Sequence, residues 1–184
     1  MVATESNMLP LGTQAPPFKL QDSVSKNLCT FSNKTQGKGF LIAFICNHCP
    51  YVVHLKNHLP GLFNNFLKQG LKIYAISAND QDKFPADSPE KMAIEAKHLN
   101  FAFPYLFDES QEVAKSYKAA CTPDFFLFDR NKELFYRGQY DYSRPNKNLE
   151  VTGNDITNAV NLMLQGKDAP RKQIPSLGCN IKWK

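Results

Sequence analysis

Six consecutive apolar residues, Phe40 to Ile45, run without a polar break into Cys46-Asn47-His48-Cys49-Pro50. A short apolar run between polar segments predicts a strand buried on both faces. Pro50 then opens a helix. Apolar residues fall at Val52, Leu55, Leu59, Leu62, Phe63 and Phe66, the spacing of one helical face, as far as Lys68. Proline is tolerated in a first helical turn, where its missing N–H has no partner in any case. Two thiols therefore lie between the end of a buried strand and the start of a helix. Free backbone N–H groups and the positive end of the helix dipole both favour thiolate over thiol there. Pro60, inside the same periodic stretch, predicts a kink or break near His58–Pro60.

The rest of the chain supplies the partners for that strand. Gly70 ends the helix, and Leu71 to Ser77 reads as a second central strand, so strand, helix and strand form a parallel βαβ unit. Upstream, Phe18 to Leu20 and Leu28 to Phe31 form a short hairpin. Asn79 to Asp87 is a polar loop, and Ser88-Pro89-Glu90 starts a helix that runs to about Leu99. Phe103 to Phe107 is extended, and Ser110 to Lys118 suits a short helix. Asp124 to Asp129 and Glu133 to Gly138 read as a hairpin about Arg130-Asn131-Lys132. Thr152 to Asp155 caps a last helix, which Gly166 stops. At 184 residues the chain fits one domain, with residues 1–10 and 167–184 as tails.

Strand, Cys-x-x-Cys and helix resemble the active site of the thioredoxin superfamily. Pro50-Tyr51-Val52 and Gly12-Thr13-Gln14-Ala15-Pro16-Pro17-Phe18 resemble its AhpC/TSA–redoxin (peroxiredoxin-like) branch, and the resemblance extends from about Leu11 to Gly166. It implies an α/β, thioredoxin-like fold: a central mixed β-sheet flanked by helices. An N-terminal hairpin extension and an insertion between Asn79 and about Asp108 would be added to it. Ala120-Cys121-Thr122-Pro123-Asp124 resembles the superfamily's loop-to-strand element, whose proline is cis and lies against the Cys-x-x-Cys. On that resemblance Thr122–Pro123 is cis, and the Thr122 backbone is free to pair with an extended substrate chain.

The expected chemistry is thiol–disulfide exchange. Cys46, at the helix start and beside His48, is the attacking thiol, with a lowered pKa; Cys49 resolves the mixed disulfide. A histidine before the second cysteine resembles the more oxidising members, so the potential should lie above the thioredoxin value of about −270 mV. Pro50, Thr122 and Pro123 support the site. Cys121 and Cys179 are candidates for a third thiol, Cys179 by reaching back from the tail, and Cys29 reads as packing. No acid on either central strand offers itself as a proton acceptor, which leaves His48 or water.

Other chemistries fit less well. Peroxiredoxins carry Pro-x-x-x-Thr-x-x-Cys and an arginine; here Ile42, Cys46 and Pro123 stand at the proline, threonine and arginine positions, so hydroperoxide reduction is the alternative reading. Cys46, Cys49, His54 and His58 superficially resemble a zinc set, but a helix from Pro50 keeps the histidines from folding back, and no metal is expected. A non-catalytic interaction module would not need both thiols. No bound cofactor is implied. The expected partners are protein or small-molecule disulfides and an upstream thiol reductant. The net charge of +5 is spread along the chain, with no nucleic-acid motif. No run approaches the roughly 18 apolar residues of a membrane span. Five unevenly spaced cysteines, with no leader pattern at the start, read as a cytoplasmic protein.

Overall fold

The apolar run is a strand, Gly39–Phe44, in which every residue is buried. Its side chains alternate between two cores, as the two-residue period of a strand dictates. Leu41, Ala43 and the following Ile45 face a helix-covered core, with Leu59, Phe63, Phe66 and Val160. Phe40, Ile42 and Phe44 face a second core with Phe18, Phe31, Tyr74 and Tyr117. Burying each of these large side chains stabilises the fold by about 1.5–3 kcal/mol. A run with no polar alternation is what two buried faces require.

The computed structural model describes residues 3–184. In chain order the strands are β1 (Ala3–Glu5), β2 (Phe18–Asp22), β3 (Leu28–Phe31), β4 (Gly39–Phe44), β5 (Leu71–Ser77), β6 (Tyr105–Phe107), β7 (Cys121–Thr122), β8 (Asp124–Asp129), β9 (Leu134–Gly138) and β10 (Leu177–Asn180). The helices are α1 (Pro50–Leu55), α2 (Leu59–Lys68), α3 (Pro89–His98), α4 (Glu112–Ser116) and α5 (Asn154–Leu164), with a 3-10 turn at Pro85–Asp87. A seven-stranded mixed sheet has the order β3-β2-β6-β5-β4-β8-β9. The pairs β4–β5 and β5–β6 are parallel and the rest antiparallel. The expected hairpin, β2 and β3, joins this sheet through β6, which comes from the expected insertion.

Two local expectations are refined. The helix after Pro50 breaks between Leu55 and Leu59, and Pro60 sits in the first turn of α2. A proline that would disrupt a helix interior instead starts a new helix. Within the expected capping segment Gly153 is the N-cap residue of α5, at φ +62°, and the Thr152 hydroxyl accepts the Asn154 N–H at 3.4 Å. Asp141 fixes the approach to the helix, its Oδ2 accepting the Thr152 and Gly153 N–H groups at 2.7 and 2.8 Å.

The expected tails are partly strand. A second, antiparallel sheet has the order β1-β10-β7, with Ala3 opposite Cys179 and Cys179 opposite Thr122. Met1 and Val2 lie outside the described residues. Beyond β10, the Lys182 N–H donates to Asn79 Oδ1 at 2.8 Å, and the Lys182 carbonyl accepts the Asp80 N–H at 2.8 Å. The Lys184 N–H donates to Gln111 Oε1 at 2.9 Å. Strands of two to four residues carry too few positions to show a periodic signal.

Candidate active site

β4 delivers Cys46 one residue beyond Ile45, whose N–H still donates to the Ile76 carbonyl on β5 at 3.0 Å. The chain then turns through Asn47 and His48 to Cys49, the N-cap of α1, with Pro50 in the first turn. The Cys-x-x-Cys and the Thr-Pro motif meet in space. The Thr122–Pro123 peptide bond is cis. Cys46 Sγ lies 3.4 Å from Thr122 Oγ1, and Cys49 as a thiol donates to the Thr122 carbonyl at 3.0 Å. Both cysteines are buried, at 2% and 0% exposure, rather than presented at the surface. A cavity of about 20 Å³, lined by Cys46, Val53, Lys56 and Tyr105 among others, adjoins Cys46 and has room for one water-sized molecule.

An acid sits under the turn after all, on a loop rather than on a strand. Asp87 is fully buried at the end of the 3-10 turn. Its Oδ1 accepts the backbone N–H groups of Asn47 at 2.8 Å and His48 at 3.3 Å. Its Oδ2 contacts His48 Nδ1 at 2.6 Å and accepts from Asn79 Nδ2 at 2.8 Å. Phe84 stacks on the His48 ring at 5.2 Å between centroids, and Tyr105 donates to Asn47 Oδ1 at 3.2 Å. Asp87, Asn79, Phe84 and Tyr105 are thus site residues that sequence reasoning missed. The available signal was Pro85-Ala86-Asp87-Ser88-Pro89, an acid held between two prolines.

Charge is distributed unequally over the two thiols. Cys49 is pulled down to about 5, first by the Cys46 thiol donating to it, with help from Cys179, Thr122 and the Val52 N–H and against the cost of burial. Cys46 is pushed well above the ordinary thiol range by its hydrogen bond with Cys49, by burial and by the Asp87 carboxylate. The lowered pKa expected at Cys46 therefore falls on Cys49. The physical reason is that Cys46 donates and Cys49 accepts within the pair, while burial and then the Asp87 carboxylate add to the rise at Cys46.

Asp87→Asn should separate these two roles of the carboxylate. It removes a charged acceptor of several N–H groups, at an expected cost of about 1.5–3 kcal/mol, read from the denaturant midpoint. It also removes the negative charge beside Cys46, so alkylation of Cys46 at neutral pH should speed up. Unchanged stability together with unchanged alkylation contradicts this account.

The remaining candidates are placed as follows. Cys179, expected to reach back from a tail, sits on β10 opposite Thr122, the residue whose carbonyl accepts from Cys49; burial first, and then the neighbouring Cys49, push its thiol up to about 12. The Thr122 backbone is not free for a substrate chain, because Cys179 pairs with it. Cys121 is buried with its thiol toward the Pro123 carbonyl at 3.5 Å, and burial pushes it up. Cys29 is half-buried on β3, packed against the second core. His54 and His58 do not join the cysteines: His54 Nε2 contacts Ser143 Oγ at 2.9 Å and His58 Nδ1 contacts Tyr140 OH at 2.7 Å. A different trio, Cys46, His48 and Asp87, brings one donor atom each within 4.8 Å of one another. The Asp87 oxygens in that trio are already engaged by N–H donors.

Comparison with known proteins gives these contacts a setting. The AhpC/TSA family model matches residues 11–137. A thiol-disulfide oxidoreductase, ResA, of Halalkalibacterium halodurans is 23% identical over 123 residues, which is 67% of this chain and 65% of the relative. The match thus spans less than two thirds of that relative's length. Two solved structures align over nearly the whole chain. An uncharacterized conserved protein from Geobacillus kaustophilus is 49% identical, with TM-score 0.96, over 100% of this chain and 97% of that one. A hypothetical protein from Sinorhizobium meliloti 1021 is 46% identical, with TM-score 0.95, over 98% of each chain. The thioredoxin domain of a Bacteroides vulgatus thiol-disulfide oxidoreductase aligns with TM-score 0.62 at 20% identity, over 83% of this chain and 99% of that one. At that identity the likeness is one of fold, and the fold is thioredoxin-like.

Proposed function

The chain belongs to the AhpC/TSA family, and from that premise we propose that it is a thiol–disulfide oxidoreductase working through the Cys46/Cys49 dithiol and its disulfide. The observation that carries this reading is the convergence of both thiols on Thr122 at the start of a helix. Cys46 attacks a substrate disulfide, and its proton passes to the Cys49 thiolate as the first substrate thiolate leaves. The proton then rests between Cys49 and the Thr122 carbonyl. Once it is given up to solvent, Cys49 attacks Cys46 Sγ and the second substrate thiolate departs. Two electrons have moved from the dithiol to the substrate, and an upstream thiol system restores the pair. His48, fixed by Asp87, and Pro50 and Pro123, which follow Cys49 and Thr122 directly, are positioning residues in this scheme.

Protein or small-molecule disulfides are the proposed substrates. Hydroperoxide is the competitor, and one observation weighs against it: the buried Arg137 directs its guanidinium to Asp124, Ser6 and the Lys118 carbonyl rather than to Cys46. A cytoplasmic setting is part of the proposal. Among the described residues no helix is long and apolar enough to cross a membrane.

The test pairs stopped-flow oxidation by hydrogen peroxide with a redox titration against glutathione. Slow peroxide oxidation and one two-electron couple above about −270 mV support the proposal. Fast, saturating oxidation that depends on Cys46 or Cys49 replaces it with a peroxidase.

The pH dependence supplies a further expected result. One thiolate should titrate with a midpoint of about 5 in ultraviolet absorbance and be missing in Cys49→Ser. A folded pKa below the unfolded value near 9 contributes stability that is fully present above about pH 9 and lost as pH falls to about 5. The oxidised protein lacks this contribution, so the stability of the reduced form relative to the oxidised form should rise with pH across that window. Thermal melts of both forms that shift in parallel refute the assignment.

A further inference from the structure

A Cys46–Cys49 couple needs nothing from β10, yet β10 occupies the backbone edge beside the cis Thr122–Pro123 peptide. It runs antiparallel to β7, with Cys179 opposite Thr122 and Asn180 opposite Cys121. The Ile181 N–H extends the ladder to the Ala120 carbonyl at 3.2 Å. Addition of an extended chain to a sheet edge is a general mode of peptide recognition, driven by main-chain hydrogen bonds. Here the extended chain is the protein's own, and it brings a cysteine to the thiol pair. The approach is close: a Cβ at Gly178 would lie 2.0 Å from the Thr122 carbonyl oxygen, so only glycine fits before Cys179.

We propose that Cys179 is a third redox thiol, carried by β10 in the place of a substrate strand, which moves the site's disulfide from Cys46–Cys49 to Cys49–Cys179. The inference rests on the reading that Cys46 and Cys49 form the primary couple. The step is an internal exchange. The Cys179 sulfur attacks Cys49 Sγ, and a Cys179–Cys49 bond forms as the Cys46–Cys49 bond breaks. The electron pair of the broken bond leaves on Cys46, which takes up the proton released by Cys179. Nothing is oxidised or reduced overall, so no co-reactant is needed. Cys49 is placed to be the shared sulfur: it donates to the Thr122 carbonyl at 3.0 Å, Cys46 lies 3.4 Å from the Thr122 hydroxyl, Cys179 is the strand partner of Thr122, and all three cysteines are buried in one core. Cys121, beside Thr122 in β7, directs its thiol to the Pro123 carbonyl instead.

The exchange changes what the site accepts. With the disulfide on Cys49–Cys179, Cys46 is again a free thiol beside its small cavity. At the same time β10 is tied covalently over the Thr122 edge, where an extended polypeptide would otherwise pair. In that state Cys46 can take a small disulfide only as far as a mixed disulfide, protein chains are kept from the edge, and turnover resumes once a thiol reductant reopens the Cys49–Cys179 bond.

Diamide oxidation of the full chain, followed by non-reducing digestion and mass spectrometry, tests this. In Cys46→Ser, most oxidised chains should carry a Cys49–Cys179 link, with Cys29 and Cys121 free. Four alkylatable thiols, a Cys49–Cys121 link or a link between chains overturns the proposal. Wild type and Cys179→Ser give a second arm that does not depend on the folding of Cys46→Ser. Iodoacetamide labelling of Cys46 in the oxidised wild type should fall several-fold in oxidised Cys179→Ser, where the disulfide cannot move; equal labelling also overturns the proposal. The primary couple is judged separately, by whether Cys179→Ser still forms the Cys46–Cys49 disulfide.

Discussion

Cys46→Ser reduces turnover of a small aromatic disulfide to the uncatalysed rate, a loss of about a thousandfold or more. Cys49→Ser arrests the same reaction one step later, with half of the substrate held on Cys46 and visible as added mass. The two sulfurs act as a unit, so the double variant should be no slower than Cys46→Ser alone. The expectation follows from the burial of the pair. Cys46 lies beside the Thr122 hydroxyl and Cys49, so a serine at 46 can still donate a hydrogen bond there but lacks the sulfur nucleophile. Release of substrate thiolate, followed by absorbance, gives the rates. Wild-type turnover in the double variant would leave the fold as an interaction module whose thiols are incidental.

Arg137→Met destabilises the protein by about 3–5 kcal/mol, because it strands a buried carboxylate. Arg137 and Asp124 are fully buried side chains paired at 3.0 Å. The guanidinium also donates to Ser6 Oγ at 2.8 Å and to the Lys118 carbonyl at 3.0 Å, and its face covers the Phe126 ring at 4.2 Å. Burial already pushes Asp124 up, with Arg137 opposing it. Without the cation, the Asp124 carboxylate keeps only Ser6 Oγ and the Ala120 N–H as partners. Adding Asp124→Asn to Arg137→Met should recover much of the loss, since the cost lies in an unpaired charge rather than in the absence of a pair. Chemical denaturation of the three variants decides this. A single variant as stable as wild type, or a double variant less stable than the single, refutes it. The pair also bears on the site: Asp124 follows Pro123 directly and braces the Ala120 N–H, at the two ends of the segment that touches both thiols.

The parts of the molecule that repeat a pattern were readable in advance. Phe40 to Ile45 declares a strand buried on both sides, and the spacing from Val52 to Phe66 declares a helical face; together with Leu71 to Ser77 they set the centre of the sheet. The two chemical motifs were readable because their residues are contiguous, even though Cys46 and Thr122 are far apart in sequence. What escaped depends on contacts with no local signature. Asp87 looks like any acid in a polar loop until the turn at Asn47 and His48 brings two backbone N–H groups to it. β10 has four residues with a glycine among them, and it exists as a strand only because β1 and β7, both distant from it in sequence, offer it edges. The pKa order of the thiols escaped for the same reason: the bond to Cys49, the burial and the Asp87 carboxylate that raise Cys46 all depend on tertiary placement.

The anchoring of the C-terminal segment has an optical consequence. Trp183 is the only tryptophan in the chain, four residues past Cys179 and 40% exposed. Its neighbours Lys182 and Lys184 are tied by backbone hydrogen bonds to Asn79, Asp80 and Gln111. The indole is therefore a native fluorophore at one known place, partly in water and partly against the protein, on the segment that carries the third thiol. Its emission wavelength and its accessibility to a soluble quencher report whether that segment is seated, in the unlabelled protein and on the timescale of a stopped-flow mixing experiment.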